Sequence, residues 1–334
     1  MPSIPENNDQ SSLQKAADQH AEEIMTRRRA SRASRAAALA AHPQPLSFKT
    51  ELTHAPLAGA LASAPAPIST TSQSAGYLLA VGDSWFDYPI HDILTRLDDN
   101  YGYNIESSAH RGDPIETMVS HVGQLDKFAR CMDKIVAHGA SPKAILVSGG
   151  GDDIAGNEFG MLINNSDLQP IPGWNDQVIA GVIDTRIAAA YRLMFFSINS
   201  LCQKNLGRIF PILVHGYDYP VPDGRGFLGG GWLLPGPWLK PGFDEKLFSD
   251  INVTTQMMIT IIDRFNNMLQ NLVQEPGFQN VTYIDLRNTL SHLQADYKDW
   301  WANEIHPNAG GLFGGEDGWK AVADKFQAVL AKLP

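Results

Sequence analysis

Cysteine is nearly absent: Cys131 and Cys202 are the only two in 334 residues. That excludes a disulfide framework and a thiolate zinc site, and both thiols fall in helical patterns as buried side chains. No run approaches the roughly 18–20 uninterrupted apolar residues of a membrane span, so no transmembrane segment is expected. Basic charge is also short, since 26 Lys and Arg against 36 Asp and Glu leave a net charge of −10. Such a balance argues against general affinity for nucleic acid or anionic membrane surfaces. The N-terminus lacks the basic segment and apolar core of a secretory signal. Cytoplasmic residence is therefore the default expectation, with export by a non-classical route as the alternative. No internal repeat is present. A hydrophobic fraction of 43% and a charged fraction of 19% are those of an ordinary globular protein long enough to bury a sizeable core.

Two compositions divide the chain. Residues 1–75 read as an N-terminal extension, partly helical or disordered. Within it, the alanine-rich stretch 21–41 carries Arg27, Arg28, Arg29, Arg32 and Arg35 and suits a solvated helix, while 58–74 is Ala, Pro, Ser and Thr with little else. From 76 to 334 the pattern becomes strand, turn and helix, repeated. Strands are expected at 78–81, 103–107, 144–147, 208–215 and 281–286. Helices are expected over 90–97, 115–137, 178–205, 251–274 and 318–333, with a glycine- and proline-rich loop at 222–243. Strands alternating with helices through right-handed crossovers give an α/β protein: a three-layer α/β/α sandwich around a five-stranded, mainly parallel sheet of flavodoxin-like type. In such sheets ligands bind beyond the carboxyl ends of the strands, where turns converge.

Four stretches fall at those ends or follow the last strand. They are Gly82-Asp83-Ser84, His110-Arg111-Gly112, Gly150-Gly151-Asp152-Asp153 and Glu304-Ile305-His306-Pro307. In this order they resemble the four blocks of the SGNH/GDSL hydrolase superfamily of serine esterases and lipases. The resemblance spans about 77 to the C-terminus. It implies Ser84 as nucleophile, His306 as base, and an oxyanion site made from the Ser84 and Gly112 amides together with the block-three side chain. A serine hydroxyl needs such a base within hydrogen-bond reach, and an imidazole titrates near neutrality. The activity implied is hydrolysis of a small-molecule, lipid or carbohydrate ester through an acyl-enzyme, with no cofactor and no metal.

Two positions depart from the pattern. Asp152 stands where the family has asparagine, and an ionised carboxylate cannot donate a hydrogen bond to an oxyanion. It must be protonated in a desolvated pocket or turned away. Asn303 stands where the family has an acid three residues before the histidine. An amide oxygen orients an imidazole without offsetting its charge, so Glu304 or a backbone carbonyl is the alternative support. Trp85, His110, Asp153, His215 and Trp232 are candidate substrate contacts, and Phe86, Tyr88 and Trp238 are further aromatic candidates; Asp153 also suits a turn cap.

Three other functions compete. A phospholipase or acyltransferase would use the same residues, and a catalytically silent binding protein would fit Asp152 and Asn303. Asp83, Asp87, Asp113, Asp152, Asp153 and His215 would suffice for a divalent-metal phosphoesterase, although their spacing matches no metal motif. The sequence assigns no oligomeric state.

Overall fold

The aliphatic run after Tyr77 forms strand β1 (Tyr77–Val81), and Leu78, Leu79, Ala80 and Val81 are all fully buried. Burial of every consecutive side chain requires cover on both faces, as a parallel sheet provides. The computed structural model describes residues 10–41, 74–120, 123–156, 158–168, 171–229, 234–311 and 314–334. The other strands of the main sheet are β2 (Asn104–Ser107), β3 (Pro142–Val147), β4 (Ile212–His215) and β5 (Val281–Ile284). Their order is β2-β1-β3-β4-β5, and every pairing is parallel. This is the flavodoxin-like order, whose switch point lies between β1 and β3. The expected sandwich is present, with its main sheet wholly rather than mainly parallel. A short antiparallel ladder, Ile163–Asn164 with Gly173–Trp174, lies outside that sheet and was not expected.

Helices α2 (Ile93–Tyr101) and α7 (Gly318–Leu330) pack together, while α3 (Ile115–Val119), α4 (Leu125–Ala137), α5 (Ala188–Leu206) and α6 (Ile251–Leu272) form the connections from β2 through β5. Helix α2 starts later than expected because Asp92 caps it, its Oδ1 accepting from the Thr95 amide at 2.7 Å. The helix expected over 115–137 is broken in two. A Cβ at Gly123 would lie 2.2 Å from the Thr117 carbonyl oxygen, so the chain folds back too tightly there to continue as helix. Strand β4 begins at Ile212 rather than 208, just after Pro211, which has no amide hydrogen for a ladder. Between Asp176–Ile179 and α5, the segment Ala180–Ile187 adopts the wider π-helical bonding.

The N-terminal helix α1 (Gln10–Ala41) is docked along α5 rather than solvated all round. Ala17, Ala21, Ile24 and Met25 recur at helical spacing and are buried. Polar contacts border that stripe. Ser200 donates to Asp18 at 2.7 Å, Lys204 to Glu22 at 2.9 Å, and Arg28 pairs with Asp133 of α4. Because alanine contributes little apolar area, Ile24 carries much of the seam. Ile24→Ala should lower the stability of the docked helix by about 2–5 kcal/mol, measured as a lower denaturation midpoint and faster proteolysis within 10–41.

Candidate active site

The turn after β1 delivers Ser84 and the turn carrying Asn303 delivers His306. Ser84 Oγ lies 2.8 Å from His306 Nε2. On the other side of the ring, Nδ1 lies 3.1 Å from Asn303 Oδ1. That amide oxygen also accepts from the Ile305 and His306 backbone amides at 3.0 and 2.9 Å, an Asx turn that fixes the ring relative to its own backbone. Asn303 Nδ2 donates to the Tyr88 hydroxyl at 2.9 Å, which determines the end of the amide that meets the imidazole. The Tyr88 ring lies 4.3 Å from the His306 ring, and Trp238 meets it edge-on at 5.5 Å. Sequence reasoning named Tyr88 and Trp238 as aromatic candidates for contact with substrate, not as partners of His306. Their places beside the imidazole depend on contacts with remote loops.

Burial among these rings pushes the His306 imidazole down to about 3. The ring is therefore neutral at ordinary pH and can accept a proton from Ser84. The imidazolium it would form has no carboxylate beside it, because Glu304 points elsewhere. Glu304 Oε1 accepts from the Gly224 and Lys240 amides at 2.9 and 3.0 Å, and Oε2 from Trp238 and Leu239 at 2.6 and 2.8 Å. The expectation that Glu304 supports His306 is thus corrected: four backbone donors hold it away. Its part is to pin Gly224 and residues 238–240, and with them Trp238, beside the site.

Gly112 shares a cavity of about 370 Å³ with Ser84, His306, Asp152 and Trp238. Its φ of +80° favours glycine, and no atom lies within 4 Å of where a Cβ would project. Asp87 joins this turn to the Ser84 turn by accepting from the Arg111 amide at 3.1 Å. Gln124 joins them again from beneath, pairing with the Gly82 amide and carbonyl at 3.0 and 2.8 Å and donating to Asp113 at 2.9 Å. No local signal in the sequence marked Gln124.

Asp152 reaches the Ser84 edge as well, with Oδ2 buried and unpartnered and the Gly112 amide directed at the carboxyl. Desolvation, reinforced by the charges of Asp83, Asp153 and Asp113, pushes its carboxyl up to about 8. At neutral pH the group is a carboxylic acid and can donate, as the asparagine it replaces would.

The remaining candidates separate. Trp85 is buried beside Ser84, and its indole nitrogen donates to the Ile305 carbonyl at 3.2 Å, tying the Ser84 turn to the His306 turn. His110 sits at the exposed rim, paired with Asp113 at 3.1 Å, and does not line the cavity. Asp153 is not a substrate contact: its Oδ2 accepts from the Ile115 amide at 2.8 Å and so starts α3. His215 is not one either. It is fully buried, stacked on Trp85 at 5.5 Å, because the apolar end of β4 carries it into the core. Trp232 lies outside the described residues.

Asp83 serves the scaffold. Its Oδ1 accepts from Ser148 at 2.6 Å and from the Trp85 amide at 3.0 Å, and Oδ2 accepts from Tyr217. Among the described residues, no three His, Cys, Asp or Glu side chains gather as metal ligands.

The chain has the three-layer fold with a five-stranded parallel sheet that its strand and helix pattern implies, with the four blocks gathered at or near its carboxyl edge. No protein-family model and no curated protein matches it. Similar solved structures include a catalytic mutant of Axe2, an acetylxylan esterase from Geobacillus stearothermophilus (13% identity, 77% of this chain, 94% of that chain, TM-score 0.40). Another is the N-terminal part of BF1531 from Bacteroides fragilis, containing a phosphatase domain complexed with Mg (13%, 76% and 51%, TM-score 0.37). A third is the catalytic domain of the peptidoglycan O-acetyltransferase OatA from Streptococcus pneumoniae (10%, 78% and 97%, TM-score 0.34). At such distances the likeness carries nothing about this chain's chemistry, which rests on its own geometry.

Two predictions test the electrostatics. Ester hydrolysis should fall as pH rises through about 8, where Asp152 ionises, and Asp152→Asn should abolish that descending limb; a wild-type rate that stays level through this range contradicts the donor role. Asn303→Asp places an anion against the ring and favours imidazolium. It should raise turnover at neutral pH and move the acidic limb of kcat/KM upward, toward the ordinary histidine value of 6.5.

Proposed function

We propose that this chain is a serine esterase that hydrolyses carboxylic esters through an acyl-enzyme. The observation that carries this reading is the 2.8 Å contact between Ser84 Oγ and His306 Nε2, with Asn303 Oδ1 at the far side of the same ring. Ser84 attacks the carbonyl carbon as His306 takes its proton. The developing oxyanion meets the Ser84 and Gly112 amides and the neutral Asp152 hydroxyl. His306 then returns the proton to the departing alcohol oxygen, leaving the acyl group on Ser84. A water molecule repeats the sequence, again deprotonated by His306, and releases the acid.

Neither departure from the family pattern forces a silent protein under this reading. The acid in the oxyanion site is neutral near pH 7, and the amide beside His306 keeps the tautomer that leaves Nε2 free to accept. Transfer to an alcohol in place of water would use the same steps.

A fluorophosphonate probe should label the wild type and leave Ser84→Ala unlabelled. The same substitution should lower kcat/KM for p-nitrophenyl acetate by at least about a thousandfold. A wild type that neither takes the label nor turns over the ester would return the chain to the silent-binder reading.

A further inference from the structure

Two hollows meet at Ser84. The larger, about 370 Å³, is lined by His306, Gly112, Phe227 and Trp238. The smaller, about 60 Å³, lies behind the Ser84–Asp152 edge and ends against Met258, Ile262 and Phe265 of α6. Ser84, Asp152 and Ile305 line both, whereas His306 lines only the larger. An ester whose carbonyl carbon sits on Ser84 Oγ has two arms to place. In the esterase cycle, the oxygen of the departing alcohol must receive its proton from His306 Nε2. The alcohol arm therefore occupies the hollow that contains His306, and the acyl arm enters the one that does not.

We infer that the small hollow is an acyl pocket for short, uncharged acyl groups of two to four carbons, with the bulk of the substrate carried by its alcohol. This rests on the esterase reading above and deepens it. A hollow of about 60 Å³ is a few times the ~10–15 Å³ that holds one water, room for a short alkyl group beyond the carbonyl and not for a long chain. Met258 and Ile262 are 2% and 7% exposed, so the end wall is packed core and not a flap that yields to a longer chain. Asp83 and Asp218 face the same hollow, and an acyl arm bearing its own carboxylate would meet these two. A long-chain lipid acyl group is excluded by length, a dicarboxylic half-ester by charge.

The test is a series with one leaving group: p-nitrophenyl acetate, butyrate and octanoate, assayed on the full chain. The wild type should lose at least about tenfold in kcat/KM between the short esters and octanoate. Met258→Ala and Ile262→Ala lengthen the pocket and should each raise the octanoate-to-acetate ratio by about tenfold or more. An unchanged ratio in a variant that still melts cooperatively overturns the assignment of the end wall. If neither variant folds, the wild-type series decides alone. Octanoate hydrolysed as well as acetate, with Ser84→Ala inactive, overturns the acyl pocket and leaves the esterase reading standing. No turnover of any ester, with no fluorophosphonate on Ser84, removes both.

Discussion

Buried carboxylates that accept backbone amides hold the catalytic edge of this sheet together. Glu304 takes the amides of Gly224, Trp238, Leu239 and Lys240. Asp218 takes those of Tyr219, Asn288, Thr289 and Leu290 at 2.6–2.8 Å. Asp83 gathers the Trp85 amide with the Ser148 and Tyr217 hydroxyls. A segment that leaves a strand end without regular structure has orphan donors, and burying them unpaired is costly. A carboxylate with two acceptor oxygens satisfies several at once, and the amides in return offset the desolvation of its charge, as the opposing influences on Glu304 and Asp218 show. Each loop's position is thereby fixed by a point contact rather than by a ladder. The Ser84–His306 distance is the product of those contacts, because the two residues lie on segments that share no secondary structure.

The same economy of charge governs the reacting groups. No carboxylate touches His306, and burial keeps the ring neutral. Crowding by Asp83 and Asp153, added to desolvation, keeps Asp152 neutral as well. Asn303 is an amide and Tyr88, pushed up to about 12 by burial, is a neutral phenol. The acids nearest Ser84 are tied into scaffold bonds or held protonated, so no ionised carboxylate is in contact with the His306 ring.

The four turns were legible in the sequence because each is a short polar or glycine-rich stop at or beyond an apolar run, and a parallel sheet sends those stops to one edge. Asn303 was legible too, since the resemblance puts an acceptor three residues before the histidine and an amide oxygen can serve as one; the Asx turn it also closes was not read. Glu304 was not: its four donors arrive from residues 224 to 240, and nothing local distinguishes it from an acid that turns toward the ring. His215 misled because a histidine ending a strand has the address of a site residue, yet β4 carries its last side chain into the core beside Trp85. Asp153 had the adjacency of a site residue and the work of a helix cap. The seam of α1 was hidden by its composition, because Ala17 and Ala21 bury a face without raising the hydrophobicity that marks one.

A site neutral at rest has a consequence for how charge separates during attack. In the proposed esterase cycle, proton transfer to His306 and attack by Ser84 create an imidazolium and an oxyanion together, both in a region with water largely excluded: Ser84 is 9% exposed and His306 4%. At low effective dielectric two opposite charges a few ångströms apart attract strongly, by about 4 kcal/mol at 4 Å even at an effective dielectric of 20. A carboxylate beside the ring would add to that stabilisation while also favouring imidazolium in the resting state, whereas the oxyanion acts only once it has formed. Stabilisation confined to the transition state and the tetrahedral intermediate is the kind that raises turnover. The neutral Asp152 hydroxyl acts on the same interval, since its hydrogen bond strengthens as the carbonyl oxygen gains charge.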